Sequence, residues 1–244
     1  MNTAERIRHA VAEVEQLRQE NAAVPRIGAA VAAVKAFQSR RFAGTYADLL
    51  AGGPYAAAAS FFLEELYNDR DYAERDAQFV RIAGAMEKLF PRDVAQTAAT
   101  LAELHALTES LDHAMAKAME GLAGSEADRY IAAWRRVGRR AERERQLERV
   151  LAVGVEMARL TRLPGLRLML KMMRAPATAA GLGSLQRFLE AGFDTFAGVA
   201  KSRGGAPAFL AIIQEREEKL VRMLFDADPV ACETELVRTL GQAR

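Results

Sequence analysis

Residues 93–120 read DVAQTAATLAELHALTESLDHAMAKAME, a stretch with neither proline nor glycine. Leu101, Leu104, Leu111 and Met115 recur at helical spacings and share one side, the period of an amphipathic helix and not of a strand. Pro91 stands before the stretch, and Gly121 and Gly124 follow it, so both ends carry stop signals. One long helix from about Asp93 to Glu120 is therefore the anchor of the fold prediction.

The same pattern extends outward in both directions. Ile7, Ala10, Val11 and Val14 form one face of a first helix from about Thr3 to Glu20, and a second runs from about Arg26 to Arg41 after a break at Asn21 to Pro25. A short turn at Tyr46 to Leu50 ends at Gly52-Gly53. Pro54 then suits the first turn of a third helix reaching about Tyr67, apolar all round until Glu64 and so expected to be the central one. Asp71 with Glu74 reads as an N-cap and capping-box partner for a fourth helix ending near Phe90. Beyond the anchor, Ser125 with Asp128 opens a sixth helix that runs toward Leu163, with Gly138 and Gly154 as weak points. Shorter pieces follow: Gly165 to Met173, a linker through Pro176, Ser184 to Lys201, Pro207 to Asp226, and a last helix after Pro229.

The expected fold is all-α: a single compact bundle of about eight to ten helices over residues 1–244, with the shorter C-terminal helices folded over the core and residues 121–125 as a possible subdivision. The composition agrees. Of 244 residues 50% are apolar, and 34 Lys/Arg balance 32 Asp/Glu, which excludes a polybasic or polyacidic disordered chain. Resolved along the chain the balance is uneven. Residues 1–120 carry 13 basic and 17 acidic side chains, net −4, and residues 121–244 carry 21 and 15, net +6. That split either orients a partner or is absorbed where the two halves meet. A single cysteine, Cys232, excludes a disulfide framework and any multi-cysteine metal site. The longest uncharged stretch near the middle, Leu49 to Leu63, is too short to span a bilayer core of about 30 Å and contains Gly52, Gly53 and Pro54. No secretory signal is evident, and a cytoplasmic location is the expectation.

Two polar clusters interrupt this background. In FFLEELYNDRDYAERD, residues 61–76, Glu64 and Glu65 flank Phe61 on an otherwise apolar helix, and Asp76 shares a face with Tyr72, Phe79, Ala83 and Met86. A carboxylate among apolar side chains must be paired, protonated or metal-bound. Arg70 and Arg75 are the nearest cations, with Asp71 between them, so the simplest expectation is an Arg–carboxylate network fixing how two helices meet. In LHALTESLDH, residues 104–113, His105, Glu109 and His113 follow i, i+4, i+8 spacing beside the apolar face, with Asp112 adjacent. Glu65, Glu109 and His113 form a conceivable oxygen- and nitrogen-rich site for iron or manganese. Helical di-metal centres carry two Glu-x-x-His pairs, though, and this chain has none, so no cofactor is the primary expectation. His9 would serve as a haem ligand only if the polar side of the first helix faced a pocket.

A basic, apolar segment follows. Arg159, Arg162, Arg167, Lys171 and Arg174 occur with no acidic residue between them, among Leu160, Leu163, Leu166, Leu168, Leu170 and several methionines. Such a segment suits core plus solvated arginines, an acidic protein partner or second copy of the chain, or peripheral contact with an anionic membrane. No finger spacing, helix-turn-helix pair or phosphate loop is present, so no specific nucleic acid is expected. Leu185, Phe188, Leu189, Phe193 and Phe196 make an aromatic stripe that is read as core before it is read as a cofactor box.

FFLEELY at 61–67 with the following NDRDYAERDAQFVR, LHALTESLD at 104–112, MRAPATAAGLGSLQRFLEAGFDTF at 173–196 and FLAIIQERE at 209–217 resemble the uncharacterised proteobacterial family named for its FFLEELY motif. The resemblance covers most of the chain. It implies a bacterial all-helical protein and brings no catalytic residues to carry over. The leading expectation is a non-enzymatic helical scaffold or interaction protein with internal Arg–carboxylate networks. A metal-dependent helical oxidoreductase using the Glu/His cluster and an anionic-membrane-associated protein are the alternatives.

Overall fold

The computed structural model describes residues 1–65 and 72–243, apart from the side chain of Leu89. Every regular element among them is a helix: α1 Thr3–Ala23, α2 Pro25–Thr45, α3 Ala47–Leu50, α4 Ala56–Glu65, α5 Ala73–Leu89, α6 Arg92–Met119, α7 Glu126–Val137, α8 Arg140–Leu160, α9 Leu166–Met172, α10 Arg174–Ala179, α11 Gly183–Lys201, α12 Gly205–Asp226 and α13 Pro229–Leu240.

The all-helical expectation holds, and among the described residues the count is thirteen against the expected eight to ten, for local reasons. The sixth predicted helix is two, because Gly138 adopts φ +73, outside the helical range, and turns the chain between α7 and α8. The predicted linker through Pro176 lies within the short helix α10, which ends before Gly181 at φ +70. The first break is shorter than expected: α1 runs through Asn21, and Pro25 occupies the first turn of α2 directly. At α7 the predicted cap is present in both directions, with the Ser125 side chain accepting from the Asp128 N–H and Asp128 reaching back. Tyr72 is the residue before α5; Asp71, predicted there, lies outside the described residues.

The central helix is α6, not α4. Its alanines and Leu111 and Met115 are buried on several sides, and it packs against α1, α2, α5, α7 and α8. Small side chains explain this, because they let neighbouring backbones approach a helix closely from several directions. In α4 only Ala58, Ala59 and Phe62 are buried. The C-terminal helices do fold back: α12 lies on α8, and α13 crosses α2. At that crossing a Cβ on Gly44 would sit 1.9 Å from the Thr239 carbonyl oxygen, so glycine is what lets α13 seat there.

The charge asymmetry of the sequence is partly absorbed inside the fold. Arg159 reaches Asp93 at 2.7 Å, Arg216 reaches Asp48 at 2.7 Å and Arg149 lies 3.5 Å from Glu103, each a basic residue of the second half meeting an acid of the first.

Candidate functional site

Where α5, α6, α8 and α11 surround one another they leave a cavity of about 200 Å³. Its walls are mostly apolar: Phe79, Ile82 and Met86 of α5, Val150, Val153 and Met157 of α8, Leu166 and Leu170 of α9, and Leu185, Phe188, Leu189 and Phe193 of α11. The aromatic stripe of the sequence thus divides its work, filling core at Phe196 and facing the cavity along the rest.

The polar side comes from α6. Residues 97, 98, 101, 104, 105, 108, 109 and 112 all line the space, spaced as one helix face. Along that face the chemistry changes from Val94, Thr97, Ala98 and Leu101 to His105, Thr108, Glu109 and Asp112. At 1.5 Å per residue this face is about 27 Å long, apolar at one end and hydrogen-bonding at the other.

Each polar group at that end has a defined partner. Asp76 Oδ2 accepts from Arg18 Nη2 of α1 at 2.5 Å and from His105 Nε2 at 3.2 Å. Burial pushes the Asp76 carboxyl up, but His105 and then Arg18, through hydrogen bonds and charge, hold it below its ordinary value. The Arg75 guanidinium lies over the Tyr72 ring at 3.8 Å and the Phe188 ring at 4.3 Å and is 3.6 Å from Glu65, so it ties α5 to both α4 and α11. Burial lowers its affinity for the proton. Glu109 accepts from Lys35 Nζ of α2 at 2.6 Å. Thr108 accepts from Gln146 Nε2 of α8 at 2.8 Å.

Asp112 differs from the other three carboxylates. It is 2% exposed, accepts one hydrogen bond, from Gln38 Nε2 at 2.9 Å, and has no cation within ion-pair distance among the described residues. Burial and then the neighbouring Glu109 charge push its carboxyl up to about 6, against which Arg143 and Lys35 pull only in part.

The expected Arg–carboxylate networks are therefore present, with partners drawn from more of the chain than the sequence indicated. Glu65, Arg75, Asp76, His105, Glu109 and Asp112 all line one cavity. Glu64 is exposed and stands off its wall, and Arg70 and Asp71 lie outside the described residues. His113 is turned away: its Nδ1 donates to Asn21 Oδ1 at 2.7 Å and its Nε2 lies 3.4 Å from Glu20. Burial, then Lys117, lowers its basicity.

The metal alternative is corrected by these partners. Glu65 pairs with Arg75, Glu109 with Lys35 and His113 with Asn21, and among the described residues no three His, Cys, Asp or Glu side chains converge to hold an ion. His9 is 60% exposed at its side chain and 3.8 Å from Glu13. Sequence reasoning missed Arg18, Lys35 and Gln38, which arrive from α1 and α2. Their spacing in sequence carried no signal of that meeting.

Of the basic segment, Arg159 pairs with Asp93 and Glu156, Arg167 with Asp194 at 2.9 Å, and Arg174 with Glu190. Arg162 and Lys171 stay exposed, next to Leu168 and Met172 at 62% and 69% exposure. Among the described residues no helix is long and apolar enough to cross a membrane.

A family model described as a domain of unknown function, DUF8198, matches residues 16–231, and the chain belongs to that family. Neither the curated proteins nor the solved structures gave a match.

Proposed function

We propose that this helical bundle is a binding scaffold that holds a small, largely apolar molecule between α5, α6, α8 and α11. The supporting observation is the 200 Å³ cavity with apolar walls and one polar end. Interiors are otherwise packed to the density of organic crystals, so retention of such a space favours an occupant. An apolar cavity of about 150 Å³ accepts benzene. The space here suits one substituted ring or a short alkyl chain.

The Arg–carboxylate network has a clear part in this reading. The Arg75 and Glu65 pair, the Arg18, Asp76 and His105 group and the Lys35 and Glu109 pair fix α4, α5, α1 and α2 around α6. They act as props that hold the walls apart. The segments that carry the resemblance to the FFLEELY family supply much of the wall, including Phe62, Glu65, Asp76, His105, Glu109 and Phe193.

The test uses uncharged probes. Benzene and n-butylbenzene should raise the melting temperature of the full chain in a concentration-dependent way, by the mass-action stabilisation that any ligand of the folded state supplies. Val153→Phe, which places a ring in the cavity from α8, should raise the melting temperature of the unliganded protein and abolish the probe effect. Probes that leave both proteins unmoved, with no perturbed side-chain signals at Val153, Met157 or Phe193 by NMR, would defeat the proposal.

A further inference from the structure

Among the described residues, one carboxylate at the polar end of the cavity has no cation within ion-pair distance. Of the four carboxylates on its wall among the described residues, Glu65 is 3.6 Å from Arg75, Asp76 is 2.5 Å from Arg18, and Glu109 is 2.6 Å from Lys35. Asp112 has only the Gln38 amide on Oδ1; Oδ2 accepts no hydrogen bond among the described residues. Arg143, whose field reaches Asp112, lines a neighbouring smaller cavity and lies over the Trp134 ring at 4.1 Å.

A nine-tenths-buried carboxylate with an unused acceptor on a cavity wall is costly unless something completes it. An anionic ligand group placed there would meet Asp112 and Glu109 as like charges. A hydrocarbon would leave the acceptor unmet. An ammonium group supplies both a charge opposite to that of Asp112 and donors for its second oxygen.

We infer that the occupant of the cavity is a primary amine, its ammonium held by Asp112 at the polar end of α6 and its apolar body lying toward Ala98, Leu101 and Phe193. This rests on the cavity being a binding site, as proposed above, and adds the chemistry and direction of what binds. The size of the cavity limits the body to one ring or a short alkyl chain. Thr108 and Gln38 flank the ammonium position, and Lys35, kept on Glu109, does not compete for Asp112.

Three probes of equal chain length separate the possibilities: n-hexylamine, 1-hexanol and hexanoate, titrated into the full chain by calorimetry near pH 7.5, where the amine is protonated. Hexylamine should bind at least about tenfold more tightly than hexanol, the return expected of a charge-assisted hydrogen bond, and hexanoate should bind least well. Asp112→Asn should bring hexylamine down to the level of hexanol in the same variant, with a cooperative urea unfolding transition showing that the variant is folded. Hexanoate binding as tightly as hexylamine would overturn the inference, as would an amine preference that survives Asp112→Asn. Hexanol and benzene binding without an amine preference would remove the ammonium site and leave the cavity reading standing. Failure of every probe would remove the cavity reading itself. The wild-type series alone tests the amine preference, and the variant tests its assignment to Asp112.

Discussion

Asp76→Ala is expected to destabilise the protein by about 3 kcal/mol, the lower part of the range for removing one partner of a buried ion pair. Asp76 is 5% exposed and receives Arg18 from α1 and His105 from α6 on a single oxygen. Its loss leaves Arg18, 24% exposed at its side chain, with Glu15 at 3.8 Å in place of its close carboxylate, and an imidazole edge facing apolar walls. Three helices, α1, α5 and α6, lose their common polar contact at once. Asp76→Asn keeps the shape and one acceptor but gives up the charge, so it should fall between alanine and wild type. Urea unfolding measures both, provided the slope with denaturant is unchanged. Asp226→Ala, which removes an exposed partner of Arg140, serves as the comparison and should shift the midpoint little. Equal shifts for Asp76→Ala and Asp226→Ala would mean that the buried network is not what holds these helices.

The inward placement of Asp76 was legible from sequence, because it shares a helix face with Phe79, Ala83 and Met86, and those three are buried. Its main cation was not. The sequence favoured Arg70 and Arg75, the nearest along the chain, whereas Arg18 lies 58 positions away and meets Asp76 through the packing of α1 on α5. Lys35 and Gln38 are each 74 positions from their carboxylates. A helical period tells which side a residue faces, and nothing in it tells which distant helix will face back.

The cavity itself illustrates the same limit. Leu185, Phe188, Leu189 and Phe193 were identified as an inward stripe, and they are inward. Whether facing stripes interdigitate or leave a gap depends on volumes summed over several helices, which no single segment encodes. The histidine and carboxylate spacing at 105, 109 and 113 did mark α6 as unusual. Glu109 and His113 do not converge on one centre because, at about 100° per residue, Asp112 lies about 60° to one side of Glu109 and His113 about 40° to the other: Glu109 and Asp112 stay on the cavity face, and His113 faces α1. The α7–α8 break was signalled by Gly138, and only the positive φ at that residue turned a weak point into a corner.

Asp112 should also give the stability curve an unusual acid side. Its folded carboxyl is pushed up to about 6 from an ordinary 3.8, so between those values the folded state keeps a proton that the unfolded chain has released. Stability therefore falls as pH rises through this window. The two-unit shift corresponds to roughly 3 kcal/mol. The charged groups that set it are Glu109 on α6, Lys35 on α2 and Arg143 on α8, with the buried Tyr130 of α7 nearby. Asp76 and Glu103 act in the opposite sense. Their folded carboxyls lie below the ordinary value, Asp76 through His105 and Arg18 against its burial and Glu103 chiefly through Arg6, so their contribution is present at neutral pH and lost as the solution becomes more acid than about pH 4. Together these give a maximum of stability near pH 4 to 5 in this pair of effects, lower than for a protein whose buried acids are all paired. Asp112→Asn keeps the acceptor for Gln38 and removes the titration. It should flatten the profile between pH 4 and 6.5, match wild type near pH 4, and exceed it at pH 7 by up to the same roughly 3 kcal/mol. Saturating hexylamine should do for the wild type what asparagine does for the variant, since an ammonium beside Asp112 stabilises the charged form and draws its titration back toward the ordinary range. Guanidinium unfolding at half-unit pH intervals, with and without the amine, measures both curves, and a wild-type profile that is flat across this window would show that Asp112 is not the isolated buried acid on which the amine site depends.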